Sequence, residues 1–204
     1  MLIDKKEFIN KQKKQYITIG IAGCIERIGT TTQSMQLIQY LQLTGKTACY
    51  IEVNQSNYIE NVTRLYSDAK VLDDGDNGKI KLGEILLYKF SNIIEALEEN
   101  FNYYIKDYGS VMNKDFELIS FLEQDIRIVI CGSKPNEIFA AQSILENRAY
   151  SDVSFIFSFV PKDEQGGIKE MMSSRKDKTY FAGLTPDPYS YNSGMNMVYK
   201  QIIA

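Results

Sequence analysis

Patterns typical of buried strands alternate with patterns typical of amphipathic helices along most of the chain. Residues 16–22 read YITIGIA, a largely apolar, β-branched run that predicts a strand buried on both faces of a parallel sheet. Residues 30–44 then place apolar side chains at helical spacing, and Gly45 stands where a helix commonly ends. The run KTACYIEV follows as a second buried strand. Strand, helix and strand in this order predict a βαβ unit with a right-handed crossover.

The same alternation continues to the end of the chain. Further buried strands are predicted in the runs NYYIKDYGS, DIRIVICGS and SDVSFIFSFVP, with helical spacing between them. Residues 62–90 differ, because short β-like runs there are separated by glycine turns, and DDGDNG at 73–78 predicts the turn of a hairpin. The pattern predicts a three-layer α/β/α domain on a single doubly wound, mostly parallel sheet.

Composition narrows the classes of function. A chain of 204 residues suits one domain, and a net charge of −3 argues against a broad nucleic-acid-binding surface. There is no histidine, so a Ser-His-Asp triad and a histidine-ligated zinc site are both excluded. The cysteines lack metal-type spacing and suit buried thiols in a reducing cytoplasm. No apolar run is long enough to predict a membrane span, and the N-terminus lacks a signal-peptide core.

Residues 1–15, MLIDKKEFINKQKKQ, differ in composition from the rest of the chain. They are basic and polar, with apolar positions at helical spacing. We interpret them as a lead-in to a domain that comprises residues 16–204. The alternatives are a linker from an upstream domain and a basic contact arm.

The most informative motif is GCIERIGTTTQ at residues 23–33, between the first strand and the first helix. A glycine turn at this place is where many α/β folds hold a phosphate, on the free N–H groups and positive dipole end of the helix. The common phosphate loop reads G-x-x-x-x-G-K-[ST], but here a threonine occupies the lysine position. The candidate binding residues of the loop are Gly23, Cys24, Glu26, Arg27, Ile28, Gly29, Thr30, Thr31 and Thr32.

Polar residues at other predicted strand ends add to this site. Ligands of open parallel sheets bind beyond the carboxyl ends of the strands. The second strand ends near Glu52, the strand YYIKD ends at Asp107, and the strand SFIFS ends at Ser158. We therefore expect these three residues at the same edge of the sheet as the glycine loop.

The order of the strand-end motifs resembles that of the MinD/ParA-type P-loop ATPases. In chain order the motifs are GCIERIGTTT, YIEVN, YYIKDYGS, ICGSKPNEI, FSFVP and LTPDP. The resemblance spans residues 16–204, is strongest to a lysine-less group within those ATPases, and extends to the ATPase-like domain of the pilus-positioning protein TadZ/CpaE. It implies a P-loop NTPase fold, a site for ATP and Mg²⁺, and a homodimer that localises or assembles a larger structure, such as a pilus or secretion apparatus.

The resemblance also implies a role for individual residues. Gly29 matches the second loop glycine, and Thr31 matches the threonine that ligates Mg²⁺. Asp107 matches the Walker B-like aspartate, which places it at the metal and in catalysis. Glu52 falls on the acid that helps to position water or metal, and Ser158 falls on the asparagine that contacts adenine.

The departures from the family pattern concern charge. Thr30 stands where the phosphate-contacting lysine would be, and Ile25 stands where a second lysine would reach across a dimer. Glu26 and Arg27 replace small loop glycines. Because phosphoryl transfer depends on neutralising charge at the γ-phosphate, the loss of both lysines predicts weak binding and inefficient hydrolysis. Arg27 is the one cation in the loop and could substitute as a catalytic charge.

Several functions are compatible with these residues. We favour a degenerate nucleotide site in a protein that works mainly through protein contacts, away from nucleic acid and membranes. One alternative is a working ATPase switch in which Thr31 and Asp107 hold Mg²⁺ and Arg27 supplies charge. A second alternative is a sensor of a small anion or metabolite. The loop could also be a purely structural turn between strand and helix.

Overall fold

The computed structural model describes residues 16–72 and 78–204. Within these ranges nine strands form one sheet: β1 (Ile17–Gly23), β2 (Ala48–Glu52), β3 (Lys70–Val71), β4 (Lys79–Leu82), β5 (Ile85–Lys89), β6 (Tyr103–Ser110), β7 (Ile126–Cys131), β8 (Ser154–Ser158) and β9 (Thr179–Ala182). The α-helices of this part are α1 (Thr30–Leu43), α2 (Tyr58–Leu65), α3 (Ile93–Glu98), α4 (Leu118–Leu122), α5 (Pro135–Glu146), α6 (Gln165–Met171) and α7 (Asn196–Ile203).

The sheet is mostly parallel and has the order β3-β4-β5-β2-β6-β1-β7-β8-β9. All pairings from β5 to β9 along this order are parallel, and only the β3–β4 and β4–β5 pairings are antiparallel. Strand β1 lies in the centre, between β6 and β7, so the loop that follows β1 opens at the middle of the sheet edge. The predicted doubly wound, mostly parallel α/β fold is confirmed.

Helices cover both faces of the sheet. On one face, α1 contacts β1, β2 and β6, and it also contacts α7. On the other face, Phe121 of α4 fills the space next to Gly20, where an added Cβ would lie 3.0 Å from the ring. Buried aliphatic residues of β1 and β7 lie between these layers, and a smaller cluster around Tyr88 and Tyr104 lies beneath α3. This burial on both faces explains why β1 and β2 are apolar almost throughout.

The antiparallel edge of the sheet matches the glycine-rich stretch of the sequence. Strands β4 and β5 form a hairpin that turns at Gly83, whose φ of 56° is left-handed and favours glycine. Strand β3 pairs with β4, so the predicted β structure between residues 62 and 90 is present. The predicted turn at 73–78 falls mainly on residues 73–77, which lie outside the described residues, as does the predicted lead-in 1–15. In the described ranges no helix is long and apolar enough to cross a membrane.

Candidate functional site

The loop between β1 and α1 has the shape that the sequence pattern predicts. Gly29 precedes the first helical residue and has a φ of 100°, which a residue with a side chain rarely adopts. Arg27 is also left-handed, with a φ of 58°. The helix begins at Thr30, and the first N–H groups of a helix have no partner within the helix. The loop therefore presents the N-terminus of a long helix to the sheet edge, which is a geometry suited to an anion.

Asp107 connects this loop to the neighbouring strands. Its Oδ2 accepts hydrogen bonds from Thr31 Oγ1 at 2.6 Å and from the Tyr50 hydroxyl at 3.0 Å. Its Oδ1 accepts from Asn54 Nδ2 at 3.0 Å and from the backbone N–H of Gly109 at 2.9 Å. The carboxyl group is fully buried, and burial raises its pKa, against the opposing effect of the hydrogen bonds from Thr31, Gly109 and Tyr50. Two donors thus bind each carboxylate oxygen.

This arrangement limits how the site could hold a metal ion. Thr31 donates its proton to Asp107, so the lone pairs of its hydroxyl oxygen stay free, and Thr31 lines a cavity. Asp107 does not line that cavity and has both oxygens engaged, so it would contact a Mg²⁺ ion through water. No cluster of three or more cysteine or acidic residues that could hold a metal occurs in the described residues. The residues fit a Mg²⁺ ion that is ligated by Thr31 and by a bound phosphate.

The cavity in front of the loop has a volume of about 780 Å³. Three segments line it: the β1–α1 loop with the first turn of α1, the β2–α2 loop with the first turn of α2, and the end of β6 with the chain that follows it. The charged residues in its lining are Glu26, Arg27, Lys114, Asp115 and Glu117. Among these described lining residues, acids outnumber bases, and no lysine stands at the start of α1. The cavity is large enough for a nucleotide-sized molecule but offers little positive charge to a triphosphate.

The predicted site residues fall into two groups. Those that line the cavity are Glu26, Arg27, Gly29, Thr30, Thr31 and Thr32. Those that lie outside its lining are Gly23, Cys24, Ile28, Glu52, Asp107 and Ser158.

Three of the residues outside the lining support the loop from the interior of the protein. Gly23, Cys24 and Ile28 are buried, and a Cβ on Gly23 would lie 2.5 Å from Ile28 Cγ2. The backbone N–H of Cys24 donates to the Ile130 carbonyl at 2.8 Å, which ties the loop to β7. Ser158 is buried at the end of β8 and is followed by an exposed Phe159 with a left-handed φ of 61°.

The Glu52 carboxylate binds the N-terminus of α2. It accepts hydrogen bonds from the Ser56 hydroxyl at 2.8 Å and from the backbone N–H groups of Tyr58 at 2.5 Å and Ile59 at 3.2 Å. A carboxylate at the first turn of a helix satisfies free N–H groups and interacts favourably with the helix dipole. In this structure Glu52 thus holds the segment that carries Asn54 to the cavity wall.

Tyr50 and Lys114 are among the residues of the site that were not anticipated from the sequence. Tyr50 is fully buried in β2 and reaches Asp107 on the adjacent strand β6. Its signal was its place two residues before Glu52, on the same face of the strand. Lys114 lines the cavity from the segment between β6 and α4, where the sequence offered no recognisable motif.

Comparisons with known proteins agree with the fold. MinD of Aquifex aeolicus, solved in a MinC:MinD cell division complex, matches with a TM-score of 0.61 and 14% identity over 83% of this chain and 82% of that chain. A plasmid partition protein of Borrelia burgdorferi B31 bound to AMPPNP matches with a TM-score of 0.61 and 15% identity over 93% and 97%. The pNOB8 ParA bound to nonspecific DNA matches with a TM-score of 0.58 and 9% identity over 92% and 97%. No family model and no curated protein matches the sequence.

The fold of this chain is therefore that of the MinD and ParA P-loop ATPases. At these identities the likeness concerns the fold, and the chemistry of the site has to be argued from this chain's own residues.

Replacement of Arg27 by glycine is expected to raise the free energy of unfolding by about 0.5–1 kcal/mol. Arg27 has an exposed side chain and a left-handed backbone conformation, so glycine relieves the backbone strain without loss of packing. The gain in stability is reduced by the conformational entropy that glycine adds to the unfolded chain. The change in urea midpoint measures the effect. Arg27→Lys keeps both the strain and the charge, so its midpoint should equal that of the native chain. A glycine variant no more stable than the lysine variant would contradict the strain argument.

Proposed function

We propose that this chain is a MinD/ParA-like protein with a degenerate nucleotide site, which acts mainly as a localisation or assembly factor through protein contacts. The domain is residues 16–204, and the protein acts in the cytoplasm. The observation that carries the proposal is the contrast within one loop. The loop's backbone suits a phosphate, and the hydrogen bond from Thr31 to Asp107 leaves the Thr31 hydroxyl oxygen suited to Mg²⁺. The residue before Thr31, however, is a neutral threonine instead of a lysine.

Each part of the loop has a role in this proposal. The N-terminus of α1 binds the phosphates of ATP, Thr31 ligates Mg²⁺, and Asp107 orients Thr31 and the water around the metal. Arg27 supplies the positive charge that remains in the loop. A neutral hydroxyl at position 30 contributes less than a charged donor would, so binding is weak and hydrolysis is inefficient. When bound, ATP with Mg²⁺ would supply a triphosphate to a cavity that Asn54 and Gly109 also line.

The partners proposed are proteins, with a second copy of this chain among them. The MinD neighbour was solved in complex with MinC, and the pNOB8 ParA neighbour on DNA. The net charge of −3 favours a protein partner over DNA for this chain. The resemblance of the strand-end motifs to TadZ/CpaE and to the lysine-less group supports a pilus or secretion apparatus as the assembly concerned.

Titration calorimetry with ATP tests the nucleotide part of this proposal. In the presence of Mg²⁺ we expect binding with a Kd on the order of 1 mM, weaker without Mg²⁺, and no phosphate release above background. Thr31→Ala should weaken binding about tenfold, because a metal ligand is lost. Thr44→Ala is the matched control, since Thr44 is exposed at the other end of α1 and should bind as the native chain does.

Three outcomes of the ATP titration and of a phosphate-release assay test the nucleotide part of the proposal. Binding without turnover that is weakened about tenfold in the Thr31 variant, and unchanged in the Thr44 variant, supports the proposal. Absence of binding at about 10 mM ATP overturns the nucleotide part, and steady phosphate release overturns the claim of a degenerate site. Light scattering with and without Mg²⁺–ATP tests the second copy, because a mass that stays monomeric at all concentrations contradicts a homodimer.

A further inference from the structure

A second cavity of about 300 Å³ lies away from the glycine loop. It forms where the last turn of α1, the end of α2, the β4–β5 turn and the loop around Tyr189 meet. No lysine or arginine occurs among its described lining residues, whereas three carboxylates do: Asp68, Glu84 and Asp187. The cavity is at the lower end of the range for small-ligand sites, which suits one functional group more than a large molecule.

Two tyrosine rings form part of the wall. Tyr66 and Tyr189 lie edge to face, with ring centroids 5.5 Å apart and an interplanar angle of 70°. The hydroxyl of Tyr189 is 2.6 Å from that of Tyr58, which fixes the position of the Tyr189 ring. Rings at right angles expose a π face as well as an edge, and a π face attracts a cation.

Two glutamine side chains, those of Gln39 and Gln42, line the same cavity. Gln39 Nε2 donates to the carbonyls of Met35 at 3.2 Å and Pro188 at 2.9 Å, and Gln42 Nε2 donates to the carbonyl of Glu84 at 3.0 Å. A carbonyl can only accept, so these contacts settle which end of each amide is the nitrogen. The Oε1 atom of each amide is therefore identified as its acceptor end.

The ends of two helices add to the negative potential. Gln42 lies in the last turn of α1, and Tyr66 is the C-cap residue of α2. The C-terminal end of a helix carries partial negative charge and favours a nearby cation. Of the carboxylates, Asp187 accepts a hydrogen bond from the backbone N–H of Tyr189 at 2.9 Å, which holds it in place. Glu84 forms a salt bridge with the ammonium group of Lys81 at 3.2 Å. The wall thus combines acceptors, aromatic rings and negative charge.

We propose that this second cavity binds an organic cation, namely the ammonium or guanidinium group of a small amine or of a basic side chain on a protein partner. Such a group supplies several N–H donors to the amide and carboxylate oxygens and a delocalised positive charge to the tyrosine rings. The proposal is independent of the nucleotide site, since the two cavities share no lining residue in the described part of the chain.

Calorimetric titration with agmatine tests the proposal, with 1,4-butanediol as an uncharged control of similar length. We expect saturable binding of agmatine with a Kd on the order of 1 mM or lower at low salt, and none of the diol. The double change Asp68→Asn with Asp187→Asn should weaken binding at least about tenfold. The matched control is Glu98→Gln with Glu123→Gln, which removes the same charge from exposed residues outside the cavity and should leave binding unchanged.

A pair of tyrosine variants separates the role of the ring from packing. Tyr66→Phe keeps the ring and should bind agmatine as the native chain does, whereas Tyr66→Leu should bind several-fold more weakly. A titration with a short arginine-rich peptide identifies the source of the cation, because tighter binding of the peptide points to a protein partner and tighter binding of agmatine to a small amine. Equal binding of the diol, no binding of either cation, or binding that survives the Asp68 and Asp187 changes overturns the proposal.

Discussion

Replacement of Asp107 by alanine is expected to lower the free energy of unfolding by about 3–5 kcal/mol. The buried carboxylate accepts hydrogen bonds from Thr31, Tyr50, Asn54 and the Gly109 N–H. Alanine removes the acceptor for all of them and leaves a small void. The Tyr50 hydroxyl suffers most, because it is fully buried and water cannot replace the lost partner. Urea unfolding followed by circular dichroism measures the change.

Two milder variants show whether the hydrogen bonds cause this loss. Asp107→Asn keeps the shape and one carbonyl oxygen, and the two hydroxyls can rotate to accept from its amide, so we expect a loss of only about 1–2 kcal/mol. Tyr50→Phe removes one donor without creating an unsatisfied group and should cost about 1 kcal/mol. If the alanine variant is no less stable than the asparagine variant, the hydrogen-bonded centre around Asp107 contributes little to the fold.

The same residues explain how far the sequence could predict this structure. Apolar runs without alternation predicted β1, β2 and β7 as strands buried on both faces, and the glycine motif predicted the turn between β1 and α1. These features depend on neighbouring residues along the chain. Asp107 was predicted as an acid at the end of its strand, whereas the observed β6 continues past it to Ser110, so that prediction of the strand end is wrong.

Features that depend on the order of strands in the sheet could not be predicted from the sequence. Tyr50 meets Asp107 only because β2 and β6 are adjacent, and the register that aligns Glu52 with Asp107 follows from the whole sheet. Glu52 accepts from the N-terminus of α2, which begins after the left-handed Asn57, and the pattern of apolar residues does not reveal this contact. The second cavity also joins four segments that are distant in sequence. Local patterns thus predicted the elements, whereas the packing of the sheet determined which polar groups meet.

Replacement of Thr30 by lysine is expected to increase the affinity for ATP by about 10- to 100-fold. Thr30 is the first residue of α1, between Gly29 and Thr31, and it lines the cavity. A lysine there would extend its ammonium group toward a phosphate held by the helix N-terminus. A hydrogen bond to a charged group contributes about 1.5–3 kcal/mol, which corresponds to the expected range of affinity. Calorimetric titration with ATP at constant Mg²⁺ measures the gain.

A lysine at a neighbouring position is the decisive control. Thr32→Lys adds the same charge to the same cavity, but two residues further along the helix. If the loop still has the geometry of a phosphate site, only the change at position 30 should produce the large gain, and Thr32→Lys should alter the affinity less than about threefold. Equal gains in both variants would show a general charge effect, and no gain in either would mean that the loop keeps its shape without binding phosphate. On the proposed function, in which Ile25 takes the place of a second lysine, phosphate release should stay at background in the Thr30 variant.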